Sequence, residues 1–293
     1  MNIPIGWIIA IASCLYGFLF LGGKLSQLWV PAEYLIILGA ALGALVAGNK
    51  GRNLKNIVIA IGRVFIPASV NKKANAQLLS LMFEVLQRIQ RDGKLTVEAD
   101  VEDPDNSALF AKYPAVLKNK RLKIFLRDYL RLVVSGKPNP SHIEAVMSQE
   151  IEVLDQEARE PSNSLLSVAD SLPAFGIVAA ITGVIHTLSE LQDVTEASDI
   201  GIGMAAALVG TLLGVFLSYA VVGPVANTLK QLADAELRPF ESVKEILIAY
   251  YTGFAPIVAV EYGRKVLFSD QRPTMDELEQ SVMATSGQSF RDR

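Results

Sequence analysis

From Ile200 to Leu229 the chain runs without a single charged side chain. A stretch of that character has few ways to fold. Crossing the hydrocarbon core of a bilayer takes about 20 mostly apolar residues, and only a helix or a closed barrel satisfies the backbone there. Ile200 to Pro224 therefore reads as a membrane span. Ile3 to Leu21, Ala32 to Gly48 and Leu172 to Leu191 share its character. With 51% hydrophobic residues over 293 positions, the chain is too apolar for an ordinary soluble domain. Nothing alternates with the period of two that strands need. The expectation is an all-α, polytopic membrane protein with four transmembrane helices and a large helical cytoplasmic domain.

No Lys or Arg precedes the first span, and no small-residue cleavage pattern follows it before Lys24, so it reads as a retained anchor. Its Cys14 is the only cysteine, expected as a small buried hydrophobe. Lys50, Arg52, Lys55 and Arg63 follow span two, and Lys230, Arg238 and Lys244 follow span four. The turn from Gln192 to Asp199 has no basic residue. By the positive-inside rule both termini and the middle segment are cytoplasmic. The resulting division is a hairpin at 1–49, a cytoplasmic helical domain at 50–170, a second hairpin at 171–224, and a cytoplasmic tail at 225–293 with a disordered end.

The middle segment has helical period. Leu122, Phe125, Leu126, Tyr129, Leu130 and Val133 share one face of a helix that stops at Gly136. Ser141 and Glu144 have capping-box spacing for the next helix. An earlier helix runs from about Ala74 to Arg91, and Val101 to Ser107 reads as a loop.

Soluble-enzyme chemistry finds little support, and no cofactor or metal is expected. His142 and His186 lie on different sides of the membrane boundary, and there is no phosphate-binding glycine loop or zinc spacing. The notable residues are inside the membrane. Gly39 with Gly43, and Gly210 with Gly214, have the spacing that lets helix backbones approach. Thr182, Thr187 and Thr211 add hydroxyls, whose bland reading is a bond to their own helix. Pro173 reads as a first-turn proline capped by Asp170 or Ser171. Pro224, after Gly223, permits a bend or an end to span four. Glu33, Asp170 and Glu190 all sit at span edges, leaving no Asp, Glu, Lys or Arg at depth. If protons cross here, the titrating carboxylate must come from a partner.

Several long motifs carry a family resemblance. DSLPAFGIVAAITGVIHTL (170–188), VGTLLG (209–214) and IVAVEYGRKVLFSDQRPTMDELE (257–279) resemble the MotA family, the A subunit of the bacterial flagellar stator, polar or lateral. PAEYLIILGAALGALVAGN (31–49), FAKYP (110–114) and DYLRLVVSG (128–136) extend the match in order along nearly the whole chain.

The resemblance implies an ion-driven torque generator in the bacterial inner membrane. A homo-oligomer of such chains would surround MotB-type B subunits, meet membrane lipid, and push on the rotor's switch protein FliG; no nucleic acid is implied. Pro173 and Pro224 match the prolines tied to coupling ion flow to movement. Thr211 matches a hydroxyl facing the channel. Sodium-driven relatives carry Thr where this chain has Ala180, which argues for protons over sodium. Glu98 matches a rotor-facing acid. Its basic counterpart is Gln90 here, with Arg88 and Arg91 flanking it as substitutes. The alternative is an energy-transducing proton-channel subunit of the ExbB or TolQ kind, for which three spans are expected.

Overall fold

The computed structural model describes residues 3–66, 71–136, 139–189 and 197–286. Among these there is no strand, and four helices are long and apolar enough to cross a membrane. The all-helical reading therefore stands. The turn from Gln192 to Asp199 and the end of the tail, 287–293, fall wholly or largely outside the described residues.

The chain forms two compact units. The first joins Met1–Pro67 to Ala158–Leu232, and the second joins Ala68–Glu157 to Ala233–Arg293. The first unit holds the apolar spans. Helix α1 (Ile3–Phe20) has no buried residue. Cys14 is accordingly exposed in this chain, contrary to the burial expected of it. Helix α2 (Pro31–Gly48) opens on a proline whose missing N–H has no helical partner to lose. Helix α3 (Gly51–Arg63) is amphipathic and buries Asn53 and Ile57.

Helix α9 (Pro140–Ser189) differs from the expectation at both marked points. Its cap is Asn139, whose Oδ1 accepts from the Ser141 N–H at 3.0 Å. Ser141 is already inside the helix, and Pro140 takes the first helical position. Pro173 does not begin a new helix; it lies in the interior of α9, as does Pro161. No capping is needed there, and the Ser171 hydroxyl donates back to the Ser167 carbonyl at 2.8 Å. Apolar packing holds the turn although proline removes the bond to the residue four before it.

Helix α10 (Ala197–Phe216) runs into a π-helical segment, Leu217–Val222, and then into α11 (Gly223–Tyr251). Pro224 therefore does not end the helical run. In the widened turn before it the Gly223 N–H donates to the Ser218 carbonyl, five residues back. A widened turn relieves the clash a proline ring makes with the carbonyl four before it.

In the second unit, Asn71 caps α4 (Lys72–Asp92) by accepting from the Ala74 N–H at 2.9 Å. Gly93, at a φ of 90°, ends that helix and turns the chain. Short helices α5 (Glu98–Glu102), α6 (Ala108–Ala111) and α7 (Pro114–Lys118) follow. The loop expected from Val101 begins later, since Val101 is a buried residue of α5. In α8 (Lys120–Ser135) the six apolar positions picked out by their period are all buried. Phe125 stacks edge-on to Phe240 of α11 at 5.2 Å between ring centres. Helices α12 (Pro256–Val266) and α13 (Met275–Ser286) complete the unit.

Candidate functional site

Two helices of the first unit meet closely through glycine. A Cβ on Gly214 would lie 2.6 Å from the Leu172 carbonyl oxygen and 2.8 Å from the Gly176 Cα. A Cβ on Gly176 would meet the Gly210 carbonyl oxygen at 2.8 Å and the Thr211 Cα at 3.3 Å. Helices α9 and α10 thus touch backbone to backbone, as small residues at this spacing allow. Gly39 and Gly43 share the spacing but not the outcome, for a Cβ at either would meet nothing within 4 Å.

Pro173 directly follows Leu172, so the helix of α9 lacks a hydrogen bond beside its glycine contact with α10. Leu172, Ala179, Ile37 and Ala41 form the buried core of this packing, with Val222 against it. Pro224 stands two residues beyond Val222, after the π-helical turn. Ala180 and Thr211 are both half-buried. Thr182 and Thr187 donate to the carbonyls of Val178 (2.8 Å) and Gly183 (3.0 Å), the self-helix bonds expected of hydroxyls in a membrane. The structure thus brings Pro173 and Thr211 to one seam and keeps Pro224 at its far end.

Glu33 is misplaced by sequence position alone. It is the third residue of α2, yet it is only 3% exposed. Its carboxyl packs against Gly210 and Gly183, and a Cβ on Gly210 would overlap Glu33 Oε2. Gly210 precedes Pro224 by about 20 Å of helix rise. The first unit therefore holds a buried ionisable group whose carboxyl lies against Gly210 of span four, where chain position alone puts Glu33 at the edge of span two. The signal was present, because Glu33 is the only acid in α2.

At the end of α2, Asn49 donates to the Leu45 carbonyl at 2.8 Å. Asn53 Nδ2 donates to Asn49 Oδ1 at 2.6 Å and to Ser164 Oγ at 3.2 Å. Ser164 Oγ donates to Asn49 Oδ1 at 2.7 Å. This clasp ties α2, α3 and α9 together.

In the second unit, Glu98 begins α5 and is exposed. Arg91 is 63% exposed and pairs with Asp92 at 2.8 Å. Leu95, between them in sequence, is 79% exposed. Arg88 is held differently. Its Nη2 donates to Glu84 Oε1 at 2.7 Å, and Asp100 lies 3.8 Å from its other terminal nitrogen. Lys112 Nζ and the Tyr113 hydroxyl also donate to the Glu84 carboxylate, at 2.7 and 2.8 Å. Burial, with the Glu84 charge beside it, pushes the Tyr113 phenol well above its ordinary range. Glu84 had not been singled out, although it interrupts the apolar run LLSLMFEVL. Among the described residues no three His, Cys, Asp or Glu converge to hold a metal ion.

Comparison with known proteins places these features in context. Residues 4–93 match the model described as motility protein A N-terminal. Residues 117–242 match that of the MotA/TolQ/ExbB proton channel family. The motility protein A of Salmonella typhimurium is 40% identical over 97% of this chain and 96% of its own length. The chemotaxis protein LafT of Vibrio parahaemolyticus is 34% identical, covering 96% of this chain and 98% of its own. The flagellar MotAB stator complex of Bacillus subtilis aligns over 88% of this chain and 92% of that chain, with a TM-score of 0.67 and 25% identity. The C. jejuni MotAB structure shares the fold, with a TM-score of 0.74 at 20% identity over 94% of this chain and 98% of that one.

Proposed function

The chain belongs to the motility protein A family and is a membrane-embedded A subunit of the flagellar stator; we propose that with a MotB-type partner it conducts protons and turns the rotor. The observation that carries this reading is the α9–α10 seam. Two backbones meet there at Gly176 and Gly214, and Pro173 weakens α9 at that point. A seam of this kind can slide or open with little rebuilding of side chains. Both α9 and α11 have residues in each of the two units.

The likeness to MotAB complexes supports assembly of several such chains around the partner's membrane helices. Helix α1 has no buried residue and packs only Ile3 and Trp7 partly against a core cluster, which leaves most of its surface for lipid or a neighbouring subunit. We take the wider-family alternative, a TolQ or ExbB type of subunit, as the weaker reading. The 40% identity to the Salmonella typhimurium motility protein A runs over 97% of the chain, and a fourth candidate span is present. The basic flanks of spans two and four support an inner-membrane topology with both termini cytoplasmic. Glu98, with Arg91 and the exposed Leu95 nearby in the chain, is the surface proposed to meet FliG. Ala180 presents a methyl group where sodium coordination would need an oxygen, which supports protons as the ion.

The test is co-expression with the cognate B subunit in a cell lacking its own stators. Swimming should return only when both chains are present. Swimming that fails with every B partner would reject the reading.

A further inference from the structure

Glu33 is the buried ionisable group that the stator reading leaves without a use. Its side chain points into a seat whose walls are Gly183 and Gly210, with Ala179 and Ala207 alongside. The fit is close. A Cβ on Gly183 would lie 3.3 Å from Glu33 Oε1, and one on Gly210 would overlap Oε2. Any larger residue at Gly210 would expel the carboxyl. Glu33 Oε2 is buried and makes no hydrogen bond of normal geometry among the described residues, the Gly210 N–H lying beside the carboxyl.

Among the described residues Glu33 forms no ion pair; Lys24, just before Leu25–Leu28, is exposed, and the side chain of Asp199 lies outside the described residues. On α2 the other titratable group is Tyr34, whose hydroxyl donates to the Leu28 carbonyl at 3.2 Å. Helix α9 offers His186, one turn beyond Gly183 and exposed in this chain. Helix α10 has no ionisable residue from Ile200 to Phe216, and Leu25–Leu28 has none either. Glu190, Asp193 and Glu196 lie outside the described residues. An isolated carboxylate is costly to bury and must gain either a proton or a partner.

We propose that Glu33 is a proton-binding site of this chain, seated between α9 and α10 when protonated and leaving the seat when ionised. The only bond made or broken is the carboxyl O–H. The proton comes from water and returns to it when the side chain swings out. Seating joins α2 to the α9–α10 seam, so proton occupancy sets how these three helices pack. The geometry stands alone; its use in torque rests on the stator reading.

Membranes bearing the whole stator complex would be treated with dicyclohexylcarbodiimide over a series of pH values. The protonated carboxyl adds across a C=N bond of the reagent, and rearrangement leaves a stable acylurea. Mass spectrometry of the Glu33 peptide should find this adduct, falling about tenfold per pH unit above the titration point. No adduct at any pH, or labelling independent of pH, overturns the proposal. Motor speed against external pH provides the second measurement. E33Q should assemble into motors and lose part of the pH dependence that wild type shows. An E33Q profile superimposable on wild type also overturns it. Labelling needs no rotation, so a wild-type stator that fails to turn a motor rejects the stator reading and leaves this test standing.

Discussion

Gly176 of α9 and Gly214 of α10 meet so closely that a Cβ on Gly214 would lie 2.8 Å from the Gly176 Cα. The neighbouring atoms are backbone and cannot yield. Gly214→Ala should therefore force the helices apart, at a cost of about 1–3 kcal/mol for overpacking. Gly39→Ala, in open space within the chain, leaves the fold of the single chain unchanged. Thermal midpoints of the purified chain in detergent distinguish the two.

Pro173→Ala restores a backbone donor inside α9 without adding bulk to the seam. The variant should fold and join motors as well as wild type, yet generate less torque. Counting fluorescent stators per motor alongside rotation speed separates assembly from coupling. Speed equal to wild type would remove Pro173 from the mechanism.

The three donors to Glu84 differ in their access to water. Arg88 and Lys112 are about a third exposed, so they can turn to solvent if the acid is removed, whereas Tyr113 is fully buried. Glu84→Ala should destabilise the second unit by about 1.5–3 kcal/mol, the worth of hydrogen bonds to a charged group. Thermal unfolding of the full chain reads this loss.

Arg88 and Arg91 should separate by the same measurement. Arg88→Ala breaks an ion pair with a buried acid and lowers the midpoint. Arg91→Ala and Glu98→Lys change exposed groups, within about 0.5 kcal/mol of wild type. If Arg91 and Glu98 meet the rotor, these two variants lose swimming speed at unchanged stability.

The Arg264 guanidinium donates to both oxygens of Glu261, at 2.6 and 2.8 Å, and holds that carboxyl below its ordinary value of 4.5. A lowered folded value means the unfolded chain takes up the proton first. The pair therefore adds stability above about pH 4.5, and that contribution is lost as pH falls through the lowered value. Glu261→Gln should melt below wild type at neutral pH and converge with it in acid.

Much of the fold was legible because burial leaves a period. The face of α8 from Leu122 to Val133 was read residue by residue. Glycine spacing was legible only in part. Gly39–Gly43 and Gly210–Gly214 look alike, but spacing reports that a face permits close approach, not that another helix occupies it. The prolines misled for a related reason. Pro173 looks like a helix start, and only tertiary packing keeps α9 running through it. Pro224 needs the π-helical turn before it, a matter of hydrogen-bond register that no residue type announces. Glu33 was placed at an edge because its Cα is there, while its side chain reaches inward to Gly210. Chain position marks where a side chain begins, not where its charge ends.

The most direct test is rotation of single motors in a stator-deleted cell supplied with this chain and its cognate B subunit. Speed would be followed as external sodium is removed and then as a protonophore is added. The account predicts stepwise gains in speed as units join, no loss without sodium, and arrest by the protonophore. Rotation that stops when sodium is removed would contradict the proton assignment, and no rotation at all would contradict the stator itself.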